Sequence, residues 1–297
     1  MGGGVIWICA TLIAAAGQVA RNAMQRSLTE TIGTVGATQV RFLYGFPFAL
    51  VRLATGEPIP MPGDGFTGFL FLGAISQICA TALMLAAMRA RSFSVVTALI
   101  KTEAIQIALF GFLFLGDRLS PLGIAAVVLA TAGVAAMSWS PRIAGDAKSG
   151  GLAPIALGIL AGGLFAFSAV GYRGAILALD SGSFLIRATT TLACGLALQT
   201  AILLVWLAIF DRAALLGSIR HWRPSILAGF VGAFASQFWF VAFALTAAAN
   251  VRTLALVEVL MAQAVSRRLF AQDTSRRELA GMAMIVIGVL LLLVSAR

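Results

Sequence analysis

Runs of about twenty apolar residues recur along this chain, separated by short polar connections. Ten can be drawn, at 4–24, 35–54, 66–88, 93–115, 121–139, 153–173, 184–208, 225–247, 250–270 and 279–296. A helix needs roughly 20 predominantly apolar residues to cross the hydrocarbon of a bilayer. The runs are continuously apolar and do not alternate, which predicts spanning helices and not barrel strands. Turn-forming residues agree with the divisions. "TGEPIPMPGDG" (55–65) closes the second run, and "SPRIAGDAKSGGLAP" (140–154) gathers glycine, serine, proline and charge in mid-chain. The expected organisation is a first five-helix repeat over 1–140, a linker loop over 141–152 and a second five-helix repeat over 153–297.

Composition sets the solvent. Sixty per cent of residues are hydrophobic, 11% are charged and the mean hydropathy is +0.99. A soluble domain carries about 25% charged residues, so an integral membrane protein is expected. The net charge of +10 comes from arginines in short loops, where they face lipid headgroups. No basic stretch is interleaved with aromatics, and no nucleic-acid partner is expected. Cys9, Cys79 and Cys194 lie in apolar runs without CxxC spacing, and His221 is the single histidine. Neither a disulfide framework nor a metal site follows, and no cofactor is expected. The N-terminus lacks a positive n-region, so its apolar run reads as a retained helix.

The two sets of five show weak internal similarity in matching order. "VRFLYG" (40–45) aligns with "IRATTT" (186–191), placing Arg41 on Arg187. "AISQICATAL" (74–83) aligns with "AFASQFWFVA" (233–242), placing Gln77 on Gln237. "TALIKTEA" (97–104) aligns with "RTLALVEV" (252–259), placing Glu103 on Glu258. Five spans per repeat would invert the second half relative to the first. Inverted repeats are a hallmark of secondary transporters, whose sites lie near the midplane.

The segment "FLFLGDRLSPLGIAAVVLATAGV" (112–134) resembles the turn between the fourth and fifth spans of EamA-type drug/metabolite transporters. "QVRFLYGFPFALVRLA" (39–54) is similar to their second span. The second half departs from the pattern at "LFAQDTSRRELAG" (269–281), and Ala104 and Val259 stand where a proline often follows the glutamate. The resemblance implies an all-α membrane protein of ten transmembrane helices. These form two inverted five-helix repeats around a central cavity and move small organic solutes by alternating access.

Charge inside an apolar run marks the candidate site. A charged side chain at the centre of a spanning helix costs about 2.5–3.5 kcal/mol on insertion scales. Glu103 and Glu258 therefore face the bundle interior, with Arg41 expected opposite Glu103 and Arg187 opposite Glu258. Lys101 lies about 200° around the helix from Glu103, so the two are expected on opposite sides. The transport path is expected to include Glu103, Glu258, Lys101, Arg41, Arg187, Gln18, Asn22, Tyr44, Gln77, Gln237 and Trp239. For the amides, helix-to-helix hydrogen bonding is an equal alternative. A carboxylate in such a place suits a substrate ammonium or proton coupling.

Loop charges are unequal: thirteen on the side opposite the termini, six on the termini side. The positive-inside rule then places both termini outside, whereas the family resemblance implies both inside. The expected function is secondary transport of small organic metabolites, amino acids or amphiphilic amines, as exporter or exchanger in a bacterial inner membrane. The partners are a small-molecule substrate and the lipid bilayer, in a monomer or homodimer. A non-transporting sensor or partner subunit is the alternative. An enzyme is not expected, since no HExxH, GxSxG or paired histidines occur.

Overall fold

A computed structural model describes residues 2–54, 58–90, 96, 99–138, 153–260 and 276–295. The chain opens with α1 (Gly2–Leu43), which holds the first span and the first half of the second, joined at Gly33. Gly33 has φ 72° and ψ 175°, a left-handed backbone that only glycine adopts without strain. After a turn at Tyr44–Gly45, α2 (Phe46–Ala54) completes the second span. There follow α3 (Phe66–Ala90), α4 (Glu103–Leu115), α5 (Pro121–Ser138) and α6 (Ala153–Leu177). The chain continues with α7 (Phe184–Phe210), α8 (Arg212–Arg220), α9 (Trp222–Leu245), α10 (Ala248–Leu254) and α11 (Arg276–Ser295).

Among the described residues five stretches are long and apolar enough to cross a membrane: Gly4–Val51, Phe66–Arg89, Ile155–Leu177, Phe184–Phe210 and Trp222–Leu245. Glu103–Leu115, Pro121–Ala136 and Leu279–Ser295 are shorter apolar helices. Seven of the expected spans therefore appear as single helices at the expected places, and the second is broken by the turn at Tyr44–Gly45. The fourth and ninth are not continuous either. Turns at 101–102 and 255–256 interrupt them. There Thr102 N–H reaches Leu99 O at 3.3 Å and Ala104 N–H reaches Lys101 O at 3.4 Å. In the other half Leu256 N–H reaches Thr253 O and Glu258 N–H reaches Ala255 O, at 3.1 and 3.0 Å. These three-residue loops are the tighter 3₁₀ form. The expected linker (141–152) and the end of the ninth span (261–270) lie outside the described residues.

Helix α8 was not expected. Asp211 caps it by accepting from Ala214 N–H at 2.9 Å, and it buries Ala214 and Ser218 while exposing Leu216 and Ile219.

Three helix pairs carry the most extensive packing: α3 with α6, α1 with α9, and α5 with α11. Each joins the first half of the chain to the second. Small residues permit the approach. A Cβ on Gly171 would lie 2.5 Å from Gly73 N, and one on Gly17 would lie 3.0 Å from the Ala235 side chain. One on Gly133 would lie 2.6 Å from Gly281 O. The outer surface is apolar, with Val51, Ile209 and Phe210 all widely exposed. Among the described residues six charged side chains are buried inside, an arrangement suited to lipid.

Candidate functional site

The two helix interruptions put charge at the centre of the bundle. Arg21, Arg41, Lys101, Glu103, Arg252 and Glu258 are each at most 6% exposed. Glu103 starts α4, and Glu258 lies just beyond the turn that ends α10. Arg252 lies within α10, and the two interrupted helices pack on each other.

The ion pairs cross between the halves. Arg252 Nη1 donates to Glu103 Oε1 at 3.2 Å. Lys101 pairs with Glu258. The expected partners Arg41 for Glu103 and Arg187 for Glu258 are thereby corrected: each carboxylate takes its cation from the opposite half. The physical reason is the break. The helix tightens at 101–102, so the rotation between Lys101 and Glu103 is not that of a regular α-helix. Both residues reach one cavity instead of opposite sides.

That cavity is lined by Gln18, Asn22, Lys101, Glu103 and Glu258, together with Arg21, Arg252, Met84, Ile100 and Phe165. Its volume is about 20 Å³, enough for a water molecule and little more. A second chamber of about 10 Å³ adjoins it, sharing Gln18, Phe165 and Arg252. Arg41, Gln77 and Trp239 line this one, with Tyr172, Phe240 and Phe243. The Arg252 guanidinium lies 4.3 Å from the Trp239 ring centroid, a cation–π contact at the junction of the chambers. Trp239 stacks with Phe243 at 6.2 Å between centroids.

Several polar atoms in the site are buried without a hydrogen-bond partner: Arg21 Nη1, Arg252 Nε, Glu103 Oε2, Glu258 Oε2 and Trp239 Nε1. Buried polar groups are ordinarily satisfied, so this concentration points to something polar entering the space.

The remaining expected residues play other parts. Gln77 Oε1 accepts from Gln199 Nε2 at 2.9 Å and from Tyr172 O–H at 3.4 Å, tying α3 to α7 and α6. Gln237 Nε2 donates to Thr189 Oγ1 at 3.1 Å, joining α9 to α7, and lines neither chamber. Tyr44 O–H donates to Ser218 O at 3.0 Å and so holds α8 instead of facing the path. Arg187 is half-buried and also lines neither chamber. Asn22 Oδ1 accepts from Arg21 at 3.2 Å (Nε) and 2.7 Å (Nη2).

One end of the bundle is fastened by a second ion pair. Gly116 ends α4 with φ 66°, so Asp117 N–H turns back to Gly111 O at 3.1 Å. Asp117 then meets Arg173 of α6 through both carboxylate oxygens, at 2.9 Å from Nε and 3.0 Å from Nη2. Arg173 Nη1 also donates to the carbonyls of Phe243 and Thr246 at the end of α9, each at 2.6 Å. Ser120 Oγ accepts from Gly123 N–H at 3.1 Å and caps α5, with Pro121 as its first residue. The "LGDRLS" turn is thus a left-handed stop, an acidic clasp and a helix cap.

Residues 4–139 match the EamA-like transporter family. The chain carries an EamA-like transporter domain. That match spans a little under half of the chain, and together with the apolar helices it supports a multi-pass integral membrane protein. The EamA-like segment supplies Gln18, Arg21, Arg41, Lys101, Glu103 and Asp117, while Arg173, Arg252 and Glu258 come from the second half. One solved crystal structure of a protein is similar over 98% of this chain and 95% of its own, with a TM-score of 0.64 at 12% identity. At that identity the likeness concerns the fold alone. No curated protein matches the sequence.

Arg252, Arg173 and Arg21 are the site residues that the sequence analysis does not single out. Gln18, Asn22 and Gln25 were a usable signal for Arg21, since Arg21 follows Gln18 by three on one helix face.

Proposed function

We propose that this protein is a secondary transporter that moves small organic metabolites across a bacterial inner membrane by alternating access, as exporter or exchanger. The observation that carries the reading is the central cavity, where two interrupted helices from different halves meet in crossed ion pairs. Interrupted helices at a midplane site between inverted repeats are the usual build of such carriers. The pairing of α3 with α6 and of α1 with α9 supports a two-repeat arrangement, because exchanging the halves turns one pair into the other. The small chambers describe a closed form, and substrate enters as one end opens.

The clasp at Asp117–Arg173 fits one gate. It ties the α4–α5 turn of the first half to α6 and α9 of the second. Releasing it frees that end, while the crossed ion pairs near the middle remain. Solutes carrying both polar and apolar groups suit the site, amino acids among them. Amphiphilic amines suit it less well, because both central carboxylates are already engaged by cations.

The test is transport by purified protein in proteoliposomes, with a panel of labelled metabolites inside and outside. Saturable counterflow of at least one solute, absent from protein-free vesicles, is expected. Failure of every solute across a broad panel would favour a sensor or partner subunit instead.

A further inference from the structure

The central cluster is not neutral. Among the described residues it holds four buried cations, Arg21, Arg41, Lys101 and Arg252, against two buried carboxylates, Glu103 and Glu258. Lys101 and Arg252 are matched by Glu258 and Glu103. Arg21 and Arg41 remain without an acidic partner. Arginine stays protonated in proteins, so both keep their charge.

Their hydrogen-bond partners are neutral, although Glu103 and Glu258 line the same chamber as Arg21. Arg21 donates twice to the Asn22 amide oxygen and leaves Nη1 without a partner. Arg41 Nη1 donates to the Thr81 hydroxyl at 3.2 Å, and its guanidinium lies 5.3 Å from the Phe42 ring centroid. The two arginines also lie side by side. A Cβ built on Gly232 would stand 3.2 Å from Arg21 Cδ and 3.3 Å from Arg41 Cγ. Gly232 thus leaves room for two like-charged side chains to pass close to it. Arg21 faces the charged chamber and Arg41 faces the aromatic one.

Two adjacent buried guanidiniums without a counterion repel each other in a place with little water to screen them. An incoming anionic group removes that penalty and satisfies the free Nη1. Arginine's planar fork suits a carboxylate in particular. Beyond it, Trp239, Phe243 and Phe240 offer an aromatic wall, with the Arg252 guanidinium at 4.3 Å from the Trp239 centroid and 5.7 Å from the Phe243 centroid.

We infer that the paired chambers bind a small organic acid, its carboxylate held by Arg21 and Arg41 and its flat apolar body lying against Trp239 and Phe243. This rests on the transporter reading and adds the substrate's charge to it. Any ammonium on the same solute meets the free Oε2 atoms of Glu103 and Glu258, so a zwitterion qualifies only through its carboxylate.

The test uses three probes with one carbon skeleton: 3-phenylpropionate, 3-phenylpropylamine and 3-phenylpropanol. Thermal unfolding of the purified full chain in detergent is followed with each, and with chloride alone. Binding to the native state raises the melting temperature. The acid is expected to raise it in a saturable way and the amine and alcohol are not. Arg21→Gln and Arg41→Gln are each expected to weaken acid binding at least tenfold, with partial recovery in Arg21→Lys. The comparison of probes on the unaltered protein stands even if a variant fails to fold. A shift with the amine or alcohol but not the acid overturns the inference, as does no shift at all or an equal shift with chloride. Flux of the same probes in proteoliposomes separates the two claims. Acid binding without flux sinks the transport reading and leaves the inference. Amine or alcohol flux without acid binding does the reverse.

Discussion

Lys101 and Glu258 come from different halves and are sealed from solvent together. Removing one partner leaves a charge in a low-dielectric interior, at a cost of about 3–5 kcal/mol. Lys101→Met and Glu258→Met are each expected to lose stability on that scale in thermal unfolding. The double variant is expected to lose markedly less than the two losses combined, and simple additivity would show that the pair is not coupled. The interior placement of Glu103, Glu258 and Lys101 was legible in the sequence, because lipid cannot accommodate them. Their partners were not, because tertiary contact decides which cation arrives. Arg252 stands third in the run 250–270, so close to its end that the sequence does not fix whether it faces headgroups or the interior. Likewise nothing in the sequence distinguishes Gln77, in the chamber wall, from its aligned counterpart Gln237, which only joins two helices.

Helix α6 lies so close to α3 that Gly171 and Gly73 touch through their backbones. Gly171→Ala is therefore expected to force the helices apart and lower folded yield and melting temperature sharply. Gly68→Ala meets nothing within 4 Å and is expected to change neither. Equal behaviour of the two variants would contradict this packing. At this scale the sequence was informative about where helices lie, since about twenty apolar residues leave few alternatives. It did not reveal the interruptions at 101–102 and 255–256. A continuous apolar run states what the surroundings are and not which carbonyl each N–H meets. The short amphipathic α8 was hidden for another reason: its nine residues are too few to register as a span.

Across the whole molecule, the two halves are joined by apolar helix pairs, by crossed ion pairs at the centre and by the Asp117–Arg173 clasp at one end. Asp117→Asn removes the charge from the clasp, a loss of about 2 kcal/mol for charge-assisted hydrogen bonds. It is expected to favour the form open at that end, seen as faster labelling of a cysteine introduced at Ala244 (Ala244→Cys) and altered exchange rates. Unchanged labelling would show that the clasp is no gate. Placing Arg21 and Arg252 inside takes one cation from each side and leaves the loop asymmetry in place. A C-terminal phosphatase fusion, active only outside the cytoplasm, is accordingly expected to be active. The central claim is that one cavity between the halves is reached alternately from both faces of the membrane. Gln18 lines both chambers, so the direct measurement is Gln18→Cys, with Cys9, Cys79 and Cys194 replaced, treated with a membrane-impermeant thiol reagent from each side of sealed vesicles. The account predicts labelling from either side, slowed by a bound solute. Labelling from one side only, or from neither, would contradict it.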